Sequence, residues 1–225
     1  MSTTGNGDLE FQVLNRKTFQ GGTGSTPALS ADGHRLYVSA NEGHVIALDS
    51  ELEEVWRVDV GEPLVGSVTV AADNNELYAV TAKDVIQLSD TGDNGNQGWT
   101  AELTGFDGYA NVDVQSNALT ATVTANGVVV MIGGGKSLLG RTLMLHMGMG
   151  LLDRKTGKLR YFAEGREDSL AMSVVAADGS IYVAHSPLRR AVGKAMYPDV
   201  TPEGTGGIAR FIPSRLDLLA RVALW

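Results

Sequence analysis

Val130–Ser137 is the first stretch to test for chemistry, because its end carries the glycines, lysine and hydroxyl with which a phosphate-binding loop cradles a polyphosphate. Such a loop needs Gly where Val130 stands and a long helix after Ser137. The sequence supplies neither, so the stretch reads as a glycine-rich connecting loop. Asp90–Gly95 begins like a calcium loop, with closely spaced oxygen ligands for a hard cation. Gly92 stands where the third position needs a carboxylate or amide, and Ala101 where the twelfth needs Glu, which excludes an EF-hand and leaves a turn rich in Asp, Asn and Gly. His34, His44, His146 and His185 have no metal-ligand spacing. No Gly-x-Ser-x-Gly elbow is present, so nucleophilic catalysis by serine has no support. Glu53 and Glu54 read as a solvated turn, not as an acid–base pair. The chain has no cysteine, which removes disulfides, thiol nucleophiles and thiolate metal sites together.

Two insertions carry recognition chemistry instead. Pro187–Pro198 places Arg189, Arg190 and Lys194 near Met196 and Tyr197, a cationic and aromatic set suited to an anionic or protein partner, although it also reads as a charged surface loop. The loop at 133–150 is the second place for a partner, and Met144, Met147 and Met149 within it read as core.

The elements that position these stretches repeat. From Ser25 to Trp56 the chain completes one antiparallel meander: a strand up to the turn Ala31–Gly33, a strand Arg35–Ser39, a turn Asn41–Gly43, a strand His44–Leu48, and a fourth strand ending at Trp56. The unit recurs with Asp73 standing 41 residues after Asp32 and Trp99 43 residues after Trp56, within the WD-like period of about 40–50 residues expected for propeller blades. Later units, with turns at Asn126–Gly127 and Asp178–Gly179, have longer connections. The expected organisation is a tail and partial strand over 1–24, with residues 1–7 disordered and a strand over 9–19. Four blades follow, at about 25–61, 66–103, 113–168 and 169–225. The segments 188–196 and 214–221 read as short helices or loops. The fold class is all-β, a β-propeller of four-stranded antiparallel blades.

Gly150–Tyr161 and the first unit resemble the blade motif of the pyrroloquinoline-quinone-type (quinoprotein alcohol dehydrogenase-like) β-propellers, roughly Ala-x-Asp-x-x-Thr-Gly-x-x-x-Trp. Asp153, Thr156 and Gly157 match it, with Leu151 for Ala and Tyr161 for Trp; Ala47, Asp49 and Trp56 match in a unit one residue shorter. The resemblance implies that Trp56, Trp99 and Tyr161 dock against neighbouring blades. It also implies a location outside the cytoplasm, periplasmic or extracytoplasmic, although Met1–Glu10 lacks the basic start and apolar core of a secretory leader. Such propellers include dehydrogenases, assembly lipoproteins and sensor domains, so the family alone does not fix function. Pyrroloquinoline quinone and calcium are implied only if the chain is part of a dehydrogenase, and its acidic residues match no such ligand set.

A net charge of −8 argues against nucleic-acid binding, and no apolar run approaches the roughly 18 residues of a spanning helix. The charge is divided: residues 1–112 hold 5 basic and 17 acidic residues, residues 113–225 hold 13 and 9. Family propellers close with about eight blades, so four expose apolar end faces. Truncation from a larger ring is the first explanation, followed by two copies closing one ring through opposite charge, or by rearranged terminal strands. The sequence is therefore expected to be a non-catalytic binding or assembly module for a protein or small ligand. The alternative is a section of a quinone-cofactor-dependent alcohol or sugar dehydrogenase.

Overall fold

Runs of β-branched and aromatic residues bounded by Asx-Gly turns form strands throughout the computed structural model. The model describes residues 2–3, 9–10, 12–64, 66–102, 114–117, 120–125, 127–138, 141–165, 172–185 and 207–212. A short pair, β1 (Ser2–Thr3) with β2 (Leu9–Glu10), stands where a disordered start was expected. Residues 12–27 then form no strand, so the strand expected over 9–19 is confined to its first two residues.

Blade 1 is β3 (Ala28–Leu29), β4 (Leu36–Ala40), β5 (His44–Leu48) and β6 (Glu54–Asp59), paired in chain order. Blade 2 repeats it with β7 (Thr69–Val70), β8 (Glu76–Val80), β9 (Asp84–Asp90) and β10 (Gly95–Glu102). The connection expected over 89–98 is shorter than its sequence implied. Thr91 and Asn94 close the turn by a backbone hydrogen bond of 2.9 Å, and Gly95–Gln97 pairs with Leu88–Asp90 ahead of a register shift. Blade 3 contains β12 (Thr122–Thr124), β13 (Gly127–Leu138), β14 (Arg141–Leu152) and β15 (Leu159–Gly165), with β11 (Val114–Asn117) added beside β13. Blade 4 shows β16 (Val174–Val175), β17 (Ile181–His185) and β18 (Gly207–Phe211). Residues 188–196 and 214–221 lie outside the described residues.

Alternation sends each strand's side chains to two faces, and both faces are used for stacking. Tyr37, Val45 and Ala47 of blade 1 pack with Leu77, Ala79, Ile86 and Leu88 of blade 2. Tyr78, Val80 and Val85 of blade 2 pack with Val128, Val130 and Ile132 of blade 3. Val129, Met131 and Met149 of blade 3 meet Ile181 and Val183 of blade 4. The remaining face of blade 1, lined by Val38, Ala40, Ile46 and Leu48, is packed by Phe19 from the preceding segment. That segment is tied down where Asn41 N–H donates to Gly22 O at 3.0 Å and Thr23 Oγ1 donates to Ser39 O at 2.6 Å. The apolar core is thus a series of layers between sheets, which is why a single blade cannot be stable by itself.

Candidate interaction surface

Asp153 organises its turn. Its Oδ1 accepts from the amides of Lys155 and Thr156 at 2.8 Å and from Thr156 Oγ1 at 3.0 Å, while Oδ2 pairs with Arg160. Burial would raise this carboxyl, but the Thr156 and Lys155 hydrogen bonds and Arg160 outweigh it and hold it below the usual carboxylate range. Asp49 closes the shorter turn of blade 1 in the same way, accepting from Glu51 N at 2.9 Å and Glu53 N at 2.8 Å.

These turns receive aromatic side chains. The Trp99 indole N–H donates to Arg154 O at 2.8 Å, across from blade 2 to blade 3. It lies over Gly157, whose φ of +69° suits glycine, and a Cβ there would come within 2.5 Å of the ring. Trp56 packs over Gly95 of blade 2, but its indole nitrogen is buried without a hydrogen-bond partner. Each Trp also lies against the tyrosine of its own blade, with ring centroids 5.8 Å apart for Tyr37–Trp56 and for Tyr78–Trp99. Tyr161, in the corresponding strand of blade 3, is 44% exposed.

Charged groups bridge the same junctions. Tyr37 OH donates to Asp90 at 2.7 Å, and Arg35 stands 3.5 Å from that carboxylate. Arg154 of blade 3 reaches back to Asp73 and Glu76 of blade 2, each at 2.9 Å. Burial pushes Glu76 upward, but hydrogen bonds from Tyr78 and Arg154 hold it below its usual value. The innermost strands add hydroxyl links that the sequence reading missed. Thr26 N–H donates to Ser67 Oγ at 2.8 Å and Ser67 N–H to Thr120 Oγ1 at 3.0 Å; Thr69 and Thr122 hydroxyls each donate at 2.6 Å to a carbonyl of the next blade, Ala121 and Ser173. Their only sequence signal is a Ser or Thr near the start of each unit.

The remaining chemistry resolves into structure. Gly133–Ser137 pairs with Thr142–Met147 as strand, so neither a phosphate loop nor the connecting loop expected over 133–150 is present there. The Met131–Met149 pair is core, as is the blade half of this hairpin. The Asp90 carboxylate in the calcium-like run is engaged by Tyr37, Arg35 and the Gly92 amide. Glu54 pairs with Arg57 at 2.7 Å and Glu53 with Lys17 at 3.3 Å. Among the described residues no three His, Asp or Glu side chains stand together as a metal site. Arg189, Arg190, Lys194 and Tyr197 lie outside the described residues.

What distinguishes one blade from the others is the β13–β14 hairpin. Its strands are 12 residues each, against 5 for β4, β5 and β8 and 7 for β9. Val128–Ile132 pairs with Gly148–Leu152 inside the blade, and Gly133–Leu138 continues with Arg141–Met147 beyond it, at the end where blades 1 and 2 turn back at Ala40–His44 and Val80–Asp84. β15 pairs with β14 only as far as Met147, so Arg141–His146 presents an edge without a strand partner among the described residues. The hairpin from Gly127 to Leu152 holds Lys136, Arg141 and His146 and no acidic residue.

A family model described as outer membrane protein assembly factor BamB matches residues 12–187. No curated protein matches the chain. Solved structures share the fold at low identity. Quinohemoprotein alcohol dehydrogenase from Comamonas testosteroni is 14% identical with a TM-score of 0.56, over 86% of this chain and 35% of that one. Quinohemoprotein alcohol dehydrogenase ADHIIG from Pseudomonas putida HK5 is 13% identical with a TM-score of 0.55, over 76% and 29%. The Cps50 (Swd1) β-propeller domain of Myceliophteria thermophila is 14% identical with a TM-score of 0.51, over 74% and 50%. The chain therefore spans half or less of the length of each of these structures. The stacked blades, their Asp-closed turns and the match over residues 12–187 place the chain in the pyrroloquinoline-quinone-type β-propeller repeat family, in the branch described as outer membrane protein assembly factor BamB.

Proposed function

We propose that this chain is a non-catalytic propeller module, working outside the cytoplasm, that holds a protein partner on the prolonged hairpin of blade 3. The observation that carries this reading is the hairpin itself: two 12-residue strands continue beyond a blade whose neighbours turn back after 5 to 7, and leave the Arg141–His146 edge without a strand partner among the described residues. An edge of this kind offers main-chain donors and acceptors to an incoming strand, and its cationic composition favours an acidic one. The family is described as an assembly factor, and assembly is contact between proteins. On sequence grounds Arg189, Arg190, Lys194 and Tyr197 form a second proposed contact.

A photo-cross-linking residue placed at Leu139, which follows β13 in the sequence, tests the reading against the same residue placed at Val13, which is 72% exposed. One discrete adduct in cells from position 139 alone is expected. Equal adducts from both positions, or alcohol-dependent dye reduction by the purified chain with pyrroloquinoline quinone and calcium added, would overturn it in favour of the dehydrogenase.

A further inference from the structure

Alternation carries the two faces of blade 3 outward along the projecting hairpin. Val128, Val130 and Ile132 pack with blade 2, and Val129 and Met131 with blade 4. Beyond Ile132, positions 134, 136 and 138 therefore continue the blade 2 side, while 133, 135 and 137 continue the blade 4 side. Across the hairpin His146 stands opposite Gly134 and Met147 opposite Gly133. The register then shifts, because β14 holds one residue more, Leu145, than β13 between Gly134 and Gly135. A one-residue shift moves every position beyond it to the other face. Met144 thus stands opposite Gly135, Leu143 opposite Lys136 and Arg141 opposite Leu138.

The bulge sorts the hairpin by chemistry. With it, Lys136, Arg141 and His146 share one face of the projecting part, and the other face carries Met144 and Met147 beside Gly133 and Gly135, with no charged residue. Without it, Arg141 would fall on the methionine face and Met144 among the cations. Such sorting matters at an edge that another strand can reach, and Arg141–His146 is such an edge, without a strand partner among the described residues.

We infer that this edge takes a partner strand in which acidic and apolar residues alternate. The inference rests on the protein contact proposed above and adds which strand that contact accepts. An incoming strand continues the line of β15, which pairs with β14 as far as Met147. Its own alternation sets one row of residues on the face of Lys136, Arg141 and His146 and the next row on the face of Met144 and Met147. Acidic residues suit the first row, because the hairpin from Gly127 to Leu152 has three cationic or titratable basic residues and no acid among them. Aliphatic residues suit the second, where glycine lets another chain approach closely and methionine adapts to what packs on it. A strand with its acids grouped together places charge on both faces and is discriminated against.

The test is fluorescence anisotropy of the full 225-residue chain with two labelled synthetic peptides of identical composition, one alternating glutamate with valine and one holding the same residues in two blocks. The alternating peptide should bind about tenfold more tightly than the block peptide. Lys136→Glu should weaken it by a similar factor and bind instead a peptide alternating lysine with valine. Gly135→Glu, the adjacent position on the other face, should weaken both alternating peptides alike, and unaltered thermal melting of the two variants shows that the blades remain folded. Equal binding of alternating and block peptides overturns the inference, as does a loss in Lys136→Glu that the lysine peptide does not restore. Absence of binding by either peptide up to about 100 μM also overturns it, and a discrete adduct from position 139 in that case leaves the protein contact itself standing. Loss of the adduct instead counts against that contact.

Discussion

The two tryptophans differ by one acceptor. Trp99 finds Arg154 O, because the five-residue turn after Asp153 brings a carbonyl to its indole; Trp56 meets the differently shaped Asp90–Gly95 turn and finds none. A buried donor left unpaired costs about 1–3 kcal/mol, so Trp56→Phe removes a penalty along with some contact area. In chemical unfolding, Trp99→Phe should therefore destabilise by about 1 kcal/mol more than Trp56→Phe. Equal losses would show that the Trp99 hydrogen bond contributes nothing. Trp99→Ala, which also empties the space over Gly157, should cost about 3–5 kcal/mol. Gly157→Ala forces a Cβ into that ring at a left-handed φ, and should lower the melting temperature even though alanine is ordinarily the better strand and helix residue.

At the scale of elements, the hairpin separates into a half that stabilises and a half that projects. Val128–Ile132 and Gly148–Leu152 lie between blades 2 and 4, with Val128, Ile132 and Leu152 at 0% exposure. Among the described residues, Gly133–Met147 pairs only with itself, with β11 and with the end of β15. Replacing residues 134–146 by a two-residue type I′ turn should leave the melting temperature within a few degrees and abolish co-purification of the protein that position 139 cross-links in the intact chain. Collapse of the fold would instead assign the projecting half a structural role. Most elements were legible, since Asx-Gly turns and alternation locate β4, β5, β8, β12 and β17 directly. The extension of β13 was not, because three consecutive glycines read locally as a loop and become strand only through pairing with Met144, His146 and Met147 across the hairpin.

Across the whole molecule, the polar bridges between blades set a pH limit. Glu76 and Asp153 have folded values depressed below their ordinary 4.5 and 3.8, through Tyr78 and Arg154 for the first and through Thr156, Lys155 and Arg160 for the second. A depressed carboxylate binds its proton less readily when folded. Its contribution is therefore fully present above pH 4.5 and 3.8 respectively, and is lost as pH falls through the lower folded values. Stability measured by urea unfolding should fall steeply below pH 4.5, and Arg154→Ala should flatten that fall by releasing Glu76. An unchanged pH slope in the variant would show that the blade 2–blade 3 bridge does not couple protonation to folding.

The repeat itself was determined by sequence: residue type and spacing fix where a strand alternates, where Asp closes a turn and where an aromatic recurs, and all of these are local. The same locality gave the charge division and the absence of thiol chemistry. Tertiary structure alone decided which faces are covered. Val85 and Ile208 are both aliphatic residues in alternating strands, and nothing nearby in sequence tells that one is 0% and the other 74% exposed. The difference arises because burial here is a relation between blades about 40 or more residues apart, and each blade borrows its covering from the next.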